Sequence, residues 1–163
     1  MKELRLEIEL VPQTSWMNNV RSILTAAQWD ILRKQVSAAA WDTCQICGGV
    51  GPEHPVECHE IWEYNDKTKI QKLAGMIALC PNCHLVKHFG FARVTDREEI
   101  AFNHFMKVNS LKKIQAEAEI VKAFDIWRKR SVIDWELDLS GLERYGIDIS
   151  KIRKPLMKPS ETE

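Results

Sequence analysis

Cys44-Gln-Ile-Cys47 and Cys80-Pro-Asn-Cys83 are two Cys-x2-Cys pairs. A two-residue gap lets both sulfurs of a pair turn toward one ion, and two such pairs supply the tetrahedral thiolate set that Zn²⁺ favours. Gly48 follows the first pair, where a knuckle often needs a left-handed backbone. Residues 48–79 separate the pairs, which leaves room for an inserted hairpin. Pro81 suits the first turn of a helix, where its missing donor costs nothing. The second pair is therefore expected to open a short helix over roughly 82–89. A redox role fits poorly, because two pairs are present and neither sits in a βαβ pattern. The expectation is a structural Zn²⁺ held by Cys44, Cys47, Cys80 and Cys83. Cys58 is left over and reads most simply as a small strand residue facing the core.

Three histidines fall inside this frame. His84 and His88 are four apart on the short helix, so they share a face and can chelate one ion. Upstream, Val56 to Trp62 reads as a first hairpin strand carrying His59, and Gly75 to Leu79 as a second strand running into Cys80. The order is strand, loop, strand, helix, with imidazoles converging from the first strand and the helix. His54, in a Gly-Pro loop, and His104 read as structural.

Cys44 and Cys47, the run ECHEIW at 57–62 and LCPNCHLVKH at 79–88 together resemble the HNH endonucleases of the His-Me finger (ββα-metal) class, in their four-cysteine zinc-supported form. The resemblance spans residues 44–90 and implies an α+β fold. A zinc-supported, treble-clef-like ββα-metal finger would sit in a mostly helical shell with short N- and C-terminal strands. The pattern places a ligand and then a general base on the first strand, an asparagine orienting that base toward the second strand, and two ligands on the helix. Aligned on Ile61, His59 is the ligand and Glu60 the base. Slid by one, Cys58 stands in the ligand position and His59 is the base. His59 is essential in either register, and its pKa near neutrality suits a base. The asparagine position falls at about Gly75, so another group must hold the base, with Asn65 and Asn82 as stand-ins.

What the resemblance implies is hydrolysis of DNA phosphodiester bonds, with single- or double-stranded DNA as substrate. Mg²⁺ or another divalent ion would be held by His84, His88 and His59, separate from the zinc. The wider roles implied are restriction, phage defence or mobile-element processing.

Charge both limits and supports this reading. The 163 residues carry 23 basic and 23 acidic side chains, and a neutral protein does not bind DNA tightly by counterion release alone. Delivery by a protein partner fits that balance. Residues 67–95 nevertheless hold Lys67, Lys69, Lys72, Lys87 and Arg93 with no acid. These five are the expected phosphate contacts, and Trp62 and Tyr64 are positioned to stack on bases or to pack the hairpin. The competing reading, from a different class, is a non-catalytic treble-clef module binding nucleic acid or a protein. The opening MKELRLEIEL does not read as a signal peptide, and no run is long and apolar enough to span a membrane. A reducing cytoplasm is expected, where thiols stay free.

Around the finger (43–94), residues 1–42 and 95–150 are expected to form a scaffold, and 151–163 a polar, flexible tail. Leu4, Leu6, Ile8 and Leu10 alternate with charges, predicting a strand. Thr25 and Gln28 form a capping box opening a helix over 26–40, with Trp29 as a core anchor. Thr95 and Glu98 predict a second box and a helix to Val108. Ser110 predicts the cap of a helix from Leu111 to Arg130, its apolar line running through Ile114, Ile120, Val121, Phe124 and Trp127. Alternation from Ile133 to Leu139 predicts a last strand that could pair with the N-terminal one. Facing acids would weaken that pairing.

Overall fold

The computed structural model describes residues 3–51 and 55–152. It is a mixed α+β chain with a small sheet between two apolar layers. The hairpin β1 (Glu57–Asn65) and β2 (Ile70–Leu79) pairs antiparallel, from Glu57↔Leu79 to Asn65↔Ile70. Asn65 closes its turn, accepting from the amides of Lys67 and Thr68 at 3.1 Å each. The register steps from Ile61↔Gly75 to Trp62↔Leu73, so β2 bulges at Ala74. Successive strand residues point to opposite faces, and β1 keeps that alternation throughout. Its odd-numbered residues, His59 included, face one layer; Cys58, Glu60 and Trp62 face the other.

The His59 layer contains Leu6, Leu79, Val86, Phe89, Phe105 and Ile120. It is built by α3 (Pro81–Lys87), α4 (Phe89–Val94), α5 (Glu98–Asn109), α6 (Lys113–Arg130) and the N-terminal segment. The opposite layer contains Val20, Leu32, Val36, Leu73, Ala78 and Leu142. It is built by α1 (Val20–Ile23), α2 (Ala26–Ala39) and a 3-10 turn over Ser140–Tyr145. Gly141 is required in that turn: a Cβ there would lie 2.0 Å from the Leu73 carbonyl oxygen.

The α2 helix opens as expected. Thr25 Oγ1 accepts from the Gln28 amide at 3.2 Å, and Gln28 Oε1 accepts from the Thr25 amide at 3.0 Å. Trp29 is half-buried against the second layer.

Elsewhere the structure corrects the sequence reading. The N-terminal segment forms no strand, and its backbone bends at Arg5 and Leu6. Its alternation is real, since Leu6 is fully buried while Arg5 and Glu7 are exposed. Its backbone at Arg5 and Leu6, however, is satisfied by one side chain, while the Glu9 amide donates to the Lys87 carbonyl. Asn109 Oδ1 accepts from the amides of Arg5 and Leu6, and Asn109 Nδ2 donates to the Leu6 carbonyl. The last strand, β3 (Glu136–Asp138), pairs with β2 in parallel rather than with the N-terminus.

The Thr95–Glu98 capping box does not form. Thr95 donates to the Phe91 carbonyl and Glu98 pairs with Arg93, both spent on α4, a helix the sequence reading missed. Ser110 is a left-handed C-cap of α5 at φ 54°, and α6 starts instead behind Lys112. Ile114 and Val121, expected on the buried line of α6, are exposed. The tail beyond Ile152 and His54 lie outside the described residues.

Candidate metal centres

The first knuckle is built by backbone bonds. Gly48 donates to the Cys44 carbonyl at 2.8 Å, Cys44 donates to the Gly49 carbonyl at 2.9 Å, and Gly48 takes φ 75°. Gln45 staples this turn to β2, donating its amide to the Ala78 carbonyl and accepting from the Ala78 amide. The second knuckle is the start of α3, with Cys80 as N-cap and Pro81 in the first turn. Together they bring the four sulfurs within 4.8 Å of one another. Cys47 Sγ and Cys80 Sγ are 3.6 Å apart, close to the ~3.8 Å edge of a tetrahedron with Zn–S bonds of about 2.3 Å.

The thiols resist ionising together. A hydrogen bond from Cys83 draws Cys44 down to about 4. Burial, then the neighbouring sulfurs, push Cys80 up to about 11. Cys83 is pushed up as well, first by its bond to Cys44. One thiolate makes the next costly unless a cation is shared, so the donor set fits Zn²⁺. His104, read as structural, has Nε2 3.1 Å from Cys83 Sγ.

The second group is His59, His84 and His88, whose ligand atoms also lie within 4.8 Å of one another. β1 supplies the first, α3 the second, and His88 is the capping residue between α3 and α4. Their ring centroids are 4.7–5.1 Å apart, each pair edge-on. His84 Nε2 and His88 Nε2 are 3.1 Å apart, near the ~3.3 Å expected for two imidazoles on one tetrahedral ion with Zn–N bonds of about 2.05 Å. Burial drives the His88 imidazole down to about 3, aided by its histidine neighbours. Burial likewise lowers His59 against the opposing pull of Glu9. Both are therefore neutral near pH 7, the form that binds metal. Three imidazoles suit Zn²⁺ and similar transition ions, whereas Mg²⁺ favours oxygen donors. Of the divalent ions expected at this site, transition ions therefore suit the donor set better than Mg²⁺.

Two carboxylates that the sequence reading missed stand behind this cluster. Glu57 Oε2 accepts from His84 Nδ1. Glu9 Oε2 lies 3.1 Å from His59 Nε2, while its Oε1 pairs with Lys87 Nζ. Burial alone would raise the Glu9 pKa, but the bonds from His59 and Lys87 hold it below the usual value. Strand alternation would have flagged Glu57, on the same face as His59. Nothing in the sequence ties Glu9 to a residue fifty positions away.

Other expected site residues land elsewhere. Glu60 faces the opposite layer, where Oε1 accepts from the Val20 amide and Oε2 from Trp62 Nε1. It thereby caps α1, and burial raises its pKa against the pull of these hydrogen bonds. Cys58 shares that face, and burial pushes its thiol up to about 12. Lys87 is only 7% exposed and is not a surface phosphate contact. Arg93 is exposed but engaged, paired with Glu98 and with its guanidinium 4.5 Å from the Phe124 ring centroid. Lys67, Lys69 and Lys72 are exposed near the hairpin tip. At roughly 3.3 Å per strand residue, Lys72, opposite Glu63, lies about 13 Å along the strand from His59, and Lys67 and Lys69, beyond Asn65, about 20 Å or more. Trp62 packs in the second layer, and Tyr64 packs edge-on against Trp135 with centroids 4.9 Å apart. Asn65 is spent on the turn and Asn82 is exposed.

Comparison with family models, with curated proteins and with solved structures finds no match. Among the described residues, no helix is long and apolar enough to cross a membrane.

Proposed function

We propose that the chain is a metal-dependent endonuclease of the HNH kind that hydrolyses DNA phosphodiester bonds. The observation that carries this is the convergence of His59, His84 and His88 from a strand and the following helix, beside a four-cysteine cluster. A divalent ion bound there would stabilise charge on the phosphate and on the leaving oxygen. His84 and His88 would hold it, with Glu57 fixing the His84 ring. His59 would either complete the ligand set or take the proton from the attacking water. Glu60 has no part in this reading. Lys67, Lys69 and Lys72 would neutralise backbone phosphates at a distance from the cut, and a protein partner could add the affinity that a neutral chain lacks. A reducing, cytoplasmic compartment, which keeps the thiols available for zinc, belongs to the same proposal.

A second reading, a non-catalytic two-metal module, is favoured by the 5% exposure of His59. Labelled single- and double-stranded DNA, incubated with a series of divalent ions with and without chelator, separates the two. Cleavage that chelator stops and His59→Ala abolishes supports the nuclease. No cleavage with any ion supports the module.

A further inference from the structure

We infer that Glu9 is the positioning residue for His59, doing from the N-terminal segment what an asparagine does in the HNH pattern. The inference rests on reading the three histidines as a metal centre. Gly75 stands where that asparagine is expected, Asn65 is spent on the hairpin turn and Asn82 is exposed, so neither asparagine takes the role. Glu9 does reach His59, and it is the ring's hydrogen-bond partner among the described residues.

The chemistry of that contact fixes a proton. An ionised carboxylate can only accept, so His59 Nε2 carries the hydrogen and Nδ1 keeps its lone pair. That lone pair is what either role of His59 requires, as metal ligand or as acceptor of the water proton. A carboxylate behind an imidazole also sets the ring plane and raises its basicity.

Glu9 is itself held in place. Its amide donates to the Lys87 carbonyl at 3.0 Å, and its second oxygen takes the Lys87 ammonium. Lys87 is the last residue of α3, between His84 and the C-capping His88, so one clamp registers the strand histidine against both of the others. The burial pattern points the same way. Arg5 and Glu7, on the polar phase of the same alternation, are exposed, whereas Glu9 is turned inward.

The test loads the thiolate site with zinc and then titrates Co²⁺ into the histidine centre, following its visible absorption in wild type, Glu9→Ala, Glu9→Gln and His84→Ala. Long-range ¹⁵N–¹H spectra of the metal-free centre report the His59 tautomer. Glu9→Ala is expected to weaken Co²⁺ binding about 10- to 100-fold and to mix the His59 tautomers. Glu9→Gln, which keeps an acceptor oxygen in place, should restore most of both, and zinc at the cysteines should not change in either. A purely structural Glu9 would alter melting temperature but not the tautomer. If removal of Glu9 strands the Lys87 charge and prevents folding, Glu9→Ala/Lys87→Met removes both charges and reads the same way. Wild-type affinity and a single Nε2–H tautomer without Glu9 would overturn the proposal alone, provided His84→Ala loses Co²⁺. Equal Co²⁺ uptake by wild type and His84→Ala would overturn the metal-centre reading and this proposal together.

Discussion

Glu57 Oε2 accepts a hydrogen bond from His84 Nδ1, across the gap between the first strand and the knuckle helix. In the metal-binding, neutral form of the ring this bond would leave His84 Nε2, 3.1 Å from His88 Nε2, as the lone pair. The strand therefore contributes to the cluster twice, through His59 and through the carboxylate that sets the tautomer of a helix histidine. Losing a carboxylate placed behind a metal-binding imidazole typically costs about 10- to 100-fold in affinity or activity. Such carboxylates give the predictions below their residue-level form.

The two metal centres should empty independently. Cys44→Ser or Cys80→Ser should lose the thiolate-bound zinc and melt at a lower temperature, because metal binding and folding are coupled at such a site. His84→Ala should keep that zinc and lose only the second ion. Elemental analysis beside circular dichroism checks this. Alkylation of Cys44, Cys47, Cys80 and Cys83 should rise on chelation, while that of Cys58, partly buried in the opposite layer, should stay unchanged.

Glu60→Ala should cost stability and spare the chemistry. It removes the acceptor of both the Val20 amide and the Trp62 indole, and unsatisfied buried donors cost about 1–3 kcal/mol. Denaturant titration should show that loss while the cleavage rate of folded protein stays within a few-fold of wild type. A collapse in rate at unchanged stability would restore Glu60 as the base.

The lysines should divide by burial. Lys67→Ala, Lys69→Ala and Lys72→Ala should each weaken DNA binding and reduce its salt slope by about one. Lys87→Ala should leave the slope unchanged and destabilise the fold, since it strands Glu9 against the histidine cluster. Filter binding at several salt concentrations distinguishes the two groups.

Gly141→Ala should loosen the C-terminal turn from the sheet. The added carbon would overlap the Leu73 carbonyl oxygen, and overpacking of this kind costs about 1–3 kcal/mol. Hydrogen exchange at the amides of Leu142 and Met76, the latter bound to Tyr145, should quicken first.

Much of the site was legible because it is local. The Cys-x2-Cys spacing and the four-residue step from His84 to His88 translate directly into knuckles and a helix face. The family pattern that names Glu60 says nothing of its side of the sheet, while plain strand alternation puts it opposite His59. Lys87 was misread because counting cations says nothing of burial, and this one is drawn inward by Glu9. That partner was invisible for the same reason the N-terminal strand was overcalled. Period two reports which side chains face inward, but not whether the backbone is paired to a strand or satisfied by a side chain such as Asn109. Helix ends failed where one residue had two uses: Thr95 and Ser110 close the helices before them instead of opening the next.

The central claim is that the histidine centre cuts DNA, and supercoiled plasmid tests it most directly. Zinc-loaded wild type and His84→Ala would be compared at equal concentration across a titration of the second divalent ion. The account predicts nicking by wild type that rises with the ion, stops with chelator and is lost in His84→Ala while that variant keeps its thiolate zinc. Equal nicking by both proteins, or none by wild type at any ion concentration, would contradict it.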